Sequence, residues 1–396
     1  MSIPVPMIYS ACRTPIGRFL GSLASLSAVE LGVIAARSAI ERSGVDRSRI
    51  DEAIIGNVLS AGLGQAPARQ VALGAGLSPS SSALTVNMVC GSGLRAVMLA
   101  EASIRAGVSR LLLVGGMESM SRAPHLLTGG REGWKLGDRT IVDSMLLDGL
   151  TCSTEAWPMG LAAERTVQQC GLPREALDDY AVESQRRAVK ATLDGVFDDE
   201  IVTVPVASKR GATIEVRRDE SPRPETSRES LAKLLPAFKA DGVVTAGNSS
   251  TIADGAAMLV VGGEGETRTR GLIPLARIVA SAVSGVEPRD LFLAPVSAIT
   301  EVLLKAGKTI DEIDLFEINE AFASQMLGCM TRLELDPSKV NVFGGAIALG
   351  HPIGASGARM LVTLIHALKR LKKRWGLASL CLGGGNAVAM IVERLD

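Results

Sequence analysis

Ile310-Asp311-Glu312-Ile313-Asp314-Leu315-Phe316-Glu317-Ile318-Asn319 is a second rendering of Ile50-Asp51-Glu52-Ala53-Ile54-Ile55-Gly56-Asn57. In each stretch an acidic turn opens an apolar, strand-like run that leads to an asparagine. The surroundings repeat too. An alanine-rich helical segment, Ala28 to Ser43, closed by Gly44, precedes the first stretch; a helix from Val296 to Ala306, closed by Gly307, precedes the second. Ser92-Gly93-Leu94-Arg95 and Ser356-Gly357-Ala358-Arg359 then open helices. Strands follow, Leu111 to Val114 and Ala378 to Leu382, running into Gly115-Gly116 and Gly383-Gly384. Ile50 and Ser92 are 42 residues apart, Ile310 and Ser356 46. Matching order and spacing imply a duplicated α/β unit. Strands alternating with helices imply parallel sheets with helical crossovers, two such halves packing about a pseudo-twofold axis.

Residues 121 to 250 follow another pattern. They hold Trp134, Trp157-Pro158, the Arg-rich polar stretch Lys209 to Glu229 and Pro236-Ala237-Phe238. Apolar periodic segments persist there (Met159 to Val167, Tyr180 to Val189), so this is an inserted excursion suited to a lid or recognition domain rather than a linker. The expected division is residues 1–120 as the first half, 121–250 as the insertion, 251–271 as the return to the core, and 272–396 as the second half.

Bulk numbers narrow the function. In 396 residues, 42 Lys and Arg balance 42 Asp and Glu, which leaves no long-range pull toward nucleic acid or an anionic membrane. Lys209-Arg210 and Arg217-Arg218 read as a solvated face, or at most as a local site for an anionic ligand. No apolar run reaches membrane-spanning length, and neither end carries a recognisable address, so a cytoplasmic location is expected. The six cysteines (Cys12, Cys90, Cys152, Cys170, Cys329, Cys381) form no C-x-x-C pair, which argues against a disulfide framework and against a metal site. Only His125, His351 and His366 compete for any histidine role.

Cys90 lies in Val86-Asn87-Met88-Val89-Cys90-Gly91-Ser92-Gly93-Leu94-Arg95, at the start of a helix. Orphan N–H groups and the helix dipole favour thiolate there, so a lowered thiol pKa is expected. Alone, Cys90 reads better as a small buried hydrophobe, the usual fate of a free cysteine. Gly91-Ser92-Gly93-Leu94-Arg95-Ala96 also fits a dinucleotide loop, but the cysteine at its head and its place deep in the chain oppose that reading. Other loops alter the balance. Asn319-Glu320-Ala321-Phe322-Ala323 puts an amide at a strand end. Gly344 to Gly357 is glycine-rich around His351, and Cys381-Leu382-Gly383-Gly384-Gly385 closes a late strand. Cysteine, histidine and amide at strand ends of a duplicated fold supply a nucleophile, its base and an oxyanion donor.

The chain resembles the thiolases from end to end. The resemblance rests on Arg13-Thr14-Pro15-Ile16-Gly17, Val89-Cys90-Gly91-Ser92-Gly93, Gly115-Gly116-Met117-Glu118-Ser119-Met120-Ser121 and Thr245-Ala246-Gly247-Asn248. It continues in Asp254-Gly255-Ala256-Ala257, Asn319-Glu320-Ala321-Phe322-Ala323, Gly350-His351-Pro352 and Cys381-Leu382-Gly383-Gly384-Gly385. It implies an α/β thiolase fold, two duplicated βαβ-type halves in a layered αβαβα arrangement with an inserted loop domain. It also implies an acetyl-CoA acetyltransferase type of activity, joining two acetyl-CoA into acetoacetyl-CoA or cleaving a 3-oxoacyl-CoA with CoA.

By the same resemblance, Cys90 carries the acyl group and His351 takes its proton. Asn319, through a water, and His351 hold the second substrate's thioester oxygen. The N–H groups of Cys90 and Gly383 form the other oxyanion hole, and Cys381 moves the α-proton. Arg223 and Ser230 fall near the nucleotide of coenzyme A, and Phe238, Ala246 and Ser250 along the pantetheine. Leu150, Met159 and Phe322 line the acyl pocket. CoA thioesters are the substrates, no tightly bound cofactor is implied, and a homotetramer or homodimer with a place in fatty acid metabolism is expected.

The pattern is not perfect. Asn386-Ala387 stand where methionine or glutamine and then glycine are usual, Pro158 where histidine is common, and Ser249-Ser250-Thr251 in place of Ala-Ser-Gly. The stretch Asp290 to Pro295 lacks expected glycines. None is a catalytic position; they bear on acyl preference and CoA contacts. The rivals are a broader 3-ketoacyl-CoA thiolase of β-oxidation, a condensing enzyme acting with acyl carrier protein, a cysteine-histidine hydrolase and an inactive thiolase-like binding protein. All four of Cys90, Asn319, His351 and Cys381 are present, which the last does not predict.

Overall fold

Nine strands form the central path: β1 (Pro6–Arg13), β2 (Glu52–Gly56), β3 (Ser82–Val86), β4 (Leu111–Ser119), β5 (Ala253–Gly263), β6 (Ala276–Gly285), β7 (Leu315–Ile318), β8 (Trp375–Leu382) and β9 (Asn386–Arg394). This is a computed structural model describing residues 3–207 and 211–395; Lys209-Arg210 lie outside the described residues. The strand order is β7-β8-β9-β6-β1-β5-β4-β2-β3. Every residue of β4 is buried, as befits a strand covered on both faces.

The duplication is written in the pairing. Counted outward from the middle, the first half runs β1-β5-β4-β2-β3 and the second β6-β9-β8-β7. A single parallel bridge from Phe316 to Val340 stands where the second half would have its counterpart of β3. The halves join where Met7 pairs with Arg277 and Ile8 with Ala276, a short antiparallel seam. The sheet is mixed rather than parallel. Among the described strands of this sheet, β2 with β3, β2 with β4 and β7 with β8 are the parallel pairs. Strand β9 follows β8 through a tight turn with φ of 85° at Gly384 and 87° at Gly385, so it can only return antiparallel. Strand β5 comes back from the insertion antiparallel to both β1 and β4.

The repeated glycines are not equivalent. Gly56 faces Gly116 across β2 and β4, whereas Ile318 faces Ser379 across β7 and β8. Gly115 and Gly116 lie inside a strand, where a Cβ would fall 2.0 Å from Ala257 O and 2.1 Å from Gly354 O, respectively. Gly383 to Gly385 instead form the turn beyond a strand.

Helices and half-sheets stack as α-β-α-β-α. The Ala28–Ser43 helix starts with a Ser27–Glu30 capping box and stops at left-handed Gly44. It covers the first half, with Leu31 and Ala35 against Leu113 and Val260. The Ala294–Ala306 helix covers the second, with Ile299 and Val302 against Leu377 and Ile391. Between the half-sheets lie the Ser92–Arg105 and Ser356–Arg370 helices. They share one core in which Leu94 and Val97 join Met360, Leu364, Val114 and Leu380. These two helices meet at glycine. A Cβ on Gly93 would fall 2.8 Å from Ala358 N, and one on Gly357 2.5 Å from Leu94 N. The crossing brings two helix N-termini together, and with them the loops of Cys90 and His351.

The insertion carries the Met159–Cys170 and Arg174–Leu193 helices. Arg13 fastens it to the core. Its buried guanidinium donates to Glu200 Oε1 at 2.6 Å and to both Asp219 oxygens at 2.7 and 2.9 Å. Such a paired fork is how a charge becomes tolerable in an interior. Among the described residues, no helix is long and apolar enough to cross a membrane.

Candidate active site

Cys90 sits in a sharp turn between β3 and the Ser92–Arg105 helix. Val89, just before it, has a φ of 48°, a strained value for a β-branched residue. Local bonds hold the turn: Ser92 Oγ donates to Val89 O (2.6 Å) and accepts from Met88 N (2.9 Å), and Val89 N donates to Asn87 Oδ1 (3.0 Å). A Cβ on Gly91 would lie 2.4 Å from the Leu382 side chain, so the turn packs directly on that residue. This close approach brings the β8 end to the cysteine. The backbone N–H groups of Gly383 and of Cys90 itself lie near enough to the sulfur to favour its thiolate form.

His351 enters from the short Ala346–Leu349 helix rather than from a strand end. Its backbone N–H donates to Thr251 O at 2.9 Å. Its Nδ1 lies 2.6 Å from Ser356 Oγ, which donates to Pro352 O at 2.9 Å. With the hydroxyl proton committed to that carbonyl, Nδ1–H donates to Ser356 and Nε2 keeps a lone pair. Asn319 Nδ2 lies 3.3 Å from Nε2, and Asn319 Oδ1 is buried without a protein partner. Burial, with the positive charge of Arg359 adding to it, pushes the His351 pKa down to about 3, so the ring is a neutral base.

The thiol expectation is overturned. Burial pushes the Cys90 pKa up to about 12, outweighing the two N–H donors, and the Glu118 carboxylate adds to the rise. Helix-terminal donors are present, but Val58, Leu59, Met145 and Ile353 form an apolar cluster against which Cys90 packs. Desolvation of the thiolate wins. Burial likewise raises Cys381 well above the ordinary thiol range, with Cys90 the next contributor. The arrangement therefore rests as two neutral thiols and a neutral imidazole.

The family profile described as Thiolase, N-terminal domain matches residues 6–265, and that described as Thiolase, C-terminal domain matches residues 272–394. The chain belongs to the thiolase family. The acetyl-CoA acetyltransferase of Escherichia coli strain K12 is 50% identical to it over 391 residues, 98% of this chain and 99% of that protein. The acetyl-CoA acetyltransferase of Cupriavidus necator strain H16 is 48% identical over 388 residues, 98% and 99% of the two chains. The crystal structure of the Bacillus anthracis acetyl-CoA acetyltransferase aligns with a TM-score of 0.98 at 41% identity, over 100% of both chains. This thiolase is an acyltransferase, built on the layered fold described above.

The remaining expected contacts of the thiolase fall into two apolar groups and a polar fringe. Leu150 packs in the cluster of Val58, Leu59 and Ile353 that also touches Cys90. Met159 and Phe322 belong to the cluster of Cys381, Phe292 and Ile347. The Phe238 ring lies 6.2 Å from that of Phe322, edge-on. Ser250 N donates to Ala321 O at 3.0 Å, and Ala246 is exposed. Arg223 lines an open cleft of about 520 Å³ with Arg186 and Lys190. Ser230 is engaged otherwise: its Oγ donates to Ser227 O (2.8 Å) and accepts from Ser227 N (2.9 Å) in a capping box.

Sequence reading gave no role to three residues that shape the site. Ser356 orients His351. Glu320 accepts from Tyr180 (3.0 Å), Ser184 (2.6 Å), Asn341 (3.0 Å) and Ile347 N (3.1 Å), bracing the loop before His351. Glu118 is the third. Glu118 and Glu320 were signalled only by standing inside segments that carry the resemblance, and Ser356 only by opening the second of the duplicated helices.

Proposed function

We infer that this thiolase is an acetyl-CoA acetyltransferase that works by a ping-pong Claisen condensation, or its reverse thiolysis, through an acyl-Cys90 intermediate. The observation that carries the reading is the packing of the Cys90 turn on the β8 end, Gly91 against Leu382, which sets the Gly383 N–H by the Cys90 sulfur, together with a neutral His351 whose Nε2 lies 3.3 Å from Asn319. His351 Nε2 takes the thiol proton as the sulfur attacks the thioester carbonyl. The new oxyanion receives the two N–H groups, and collapse breaks the bond to CoA sulfur. The departing CoA thiolate takes its proton from Cys381, leaving a thiolate there. That thiolate removes the α-proton of the second acetyl-CoA, while His351, now protonated, and Asn319 through a water hold the enolate oxygen. Attack on acetyl-Cys90 expels the Cys90 thiolate, which recovers its proton from His351, and protons balance over the cycle.

The insertion, residues 121–250, covers coenzyme A in this reading. Arg223 and the Ser230 loop face its nucleotide, Phe238, Ala246 and Ser250 its pantetheine, and Leu150, Met159 and Phe322 the acyl group. Apolar lining at the acyl end and cations near Arg223 suit a short acyl chain on an anionic carrier. Six unpaired cysteines support a reducing, cytoplasmic setting, and CoA thioester substrates support a place in fatty-acid metabolism. Self-association into a dimer or tetramer accords with β3 as an open sheet edge and with exposed Trp134, Leu136, Ile141, Leu146 and Leu147 on the insertion. The test is mass spectrometry after mixing with acetyl-CoA. An acetyl adduct on Cys90, absent in Cys90→Ser, is expected; no adduct, with acetoacetyl-CoA and CoA also inert, would overturn the reading.

A further inference from the structure

The segment Gly115 to Ser121 has no part in the chemistry above, yet at its middle it holds a buried carboxylate, Glu118, with an unusual set of partners. Glu118 accepts from Asn57 Nδ2 (2.8 Å), Val58 N (3.1 Å), Leu59 N (3.2 Å) and Gly354 N (3.0 Å). All four donors are neutral, and no cation is among these partners. Burying a carboxylate without a counter-charge is costly, and several N–H donors are the means of tolerating it.

The partners come from both halves of the fold. Asn57, Val58 and Leu59 follow β2, and Gly354 lies three residues beyond His351. Contact at this seam is as close as backbone allows. A Cβ on Gly354 would fall 2.7 Å from Glu118 Oε2, and one on Gly116 2.1 Å from Gly354 O. The side chains on either side of the carboxylate, Val58 and Leu59 from one half and Ile353 from the other, belong to the cluster touching Cys90.

We propose that Glu118 is a positioning residue: one carboxylate sets the His351 loop against the acyl-pocket wall, fixing the base and the pocket size together. The proposal rests on the roles inferred above for Cys90 and His351. In Glu118→Gln the amide turns an NH₂ toward backbone N–H groups that need acceptors, so the two loops separate while the side-chain volume is kept. The residues assigned to coenzyme A share no hydrogen bond with Glu118, so CoA affinity is not the parameter that moves.

The experiment compares wild type and Glu118→Gln in three measurements. These are the rate of Cys90 acetylation by quenched-flow mass spectrometry, kcat and KM for CoA in thiolysis, and the kcat/KM ratio of acetoacetyl-CoA to 3-oxohexanoyl-CoA. Acetylation and kcat should fall about 50- to 100-fold, the scale set by sub-ångström to ångström misplacement of reacting groups. KM for CoA should stay within about twofold, and the substrate ratio should change. A lowered melting temperature with unaltered acetylation rate, kcat and ratio per folded site would mean a purely structural clamp and overturn the proposal. Should Glu118→Gln not fold, Asn57→Ala decides, since it removes one donor and adds no charge. A drop in kcat of about fivefold at constant KM supports the proposal, and unchanged kcat overturns it. If wild type itself fails to acetylate Cys90, the site assignment fails; if wild type acetylates normally and the variants do too, only this inference fails.

Discussion

Glu118 and Cys381 occupy the same position in the two halves of the protein. Gly56 faces Gly116 and Ile318 faces Ser379, so each stands two residues further along the strand beside its asparagine, Asn57 or Asn319. Each also reaches across to the other half, Glu118 to the loop of the second helix and Cys381 to the neighbourhood of Cys90. The duplication thus made two crossed constellations. One holds the thiol to which the proposed function gives the α-proton; the other holds a carboxylate that accepts hydrogen bonds from two loops.

If Cys381 acts only on the α-proton and the leaving thiolate, Cys381→Ser should still form acetyl-Cys90. Its condensation rate should fall by roughly 10²- to 10⁴-fold, the usual worth of a positioned acid-base group. The measurement pairs single-turnover acetylation with steady-state acetoacetyl-CoA formation. Unchanged condensation would remove Cys381 from the mechanism.

The resting state is neutral, and alkylation reports it. Burial pushes Cys90 up to about 12 and His351 down to about 3, which disfavours a thiolate–imidazolium pair at neutral pH. The rate of Cys90 modification by iodoacetamide should climb about tenfold per pH unit through pH 9 without a plateau, as the thiolate fraction does. A plateau below pH 8 would show a resting ion pair and return the reading to the lowered thiol pKa that the helix N-terminus alone suggests.

That reversal shows where sequence reading stops. The Ala28–Ser43 helix was legible because Ser27, Glu30 and Gly44 mark its ends locally. The duplicated order of Asn57 and Asn319, Ser92 and Ser356 was legible for the same reason. The thiol environment was not, because the side chains that desolvate Cys90, among them Val58, Met145 and Ile353, are far from it in the chain. The role of Glu118 was hidden likewise, its partners Asn57 and Gly354 being 61 and 236 residues away. Strand direction failed at β5 and β9, where a non-local return and a glycine turn decide what alternation cannot.

Stability should peak on the acid side of neutrality. Burial raises Glu118 to about 7 and Glu317 to about 8 from an ordinary 4.5. Between 4.5 and those values the native state holds protons that the unfolded chain releases, so acidification from pH 8 stabilises the fold. His351 acts oppositely: below 6.5 the unfolded chain gains a proton that the buried ring refuses down to about 3. Two carboxyls outweigh one imidazole until about pH 4.5, each contributing up to about 1.4 kcal/mol per pH unit. The thermal midpoint should therefore be higher at pH 6 than at pH 8.5, and Glu317→Gln should shrink the difference. A midpoint rising steadily from pH 6 to 8.5 would contradict the assignment.

The crossing of the middle helices ties fold to catalysis most directly. Gly357→Ala puts a Cβ 2.5 Å from Leu94 N, and the backbone it meets cannot rotate away as a side chain could. The Ser92–Arg105 and Ser356–Arg370 helices must part, at a cost of about 1 to 3 kcal/mol for overpacking a tight contact. Their N-termini carry Cys90 on one side and Ser356, the partner of His351 Nδ1, on the other. Parting them by about 1 Å should cost on the order of 100-fold in kcat, because reacting groups tolerate little misplacement. CoA affinity, which the proposed function assigns to the insertion, should hold. Urea denaturation together with kcat and KM on the folded fraction separates the two effects. A variant that loses stability while keeping kcat would show that the nucleophile and base loops are fixed by their own hydrogen bonds and not by the helices beneath them.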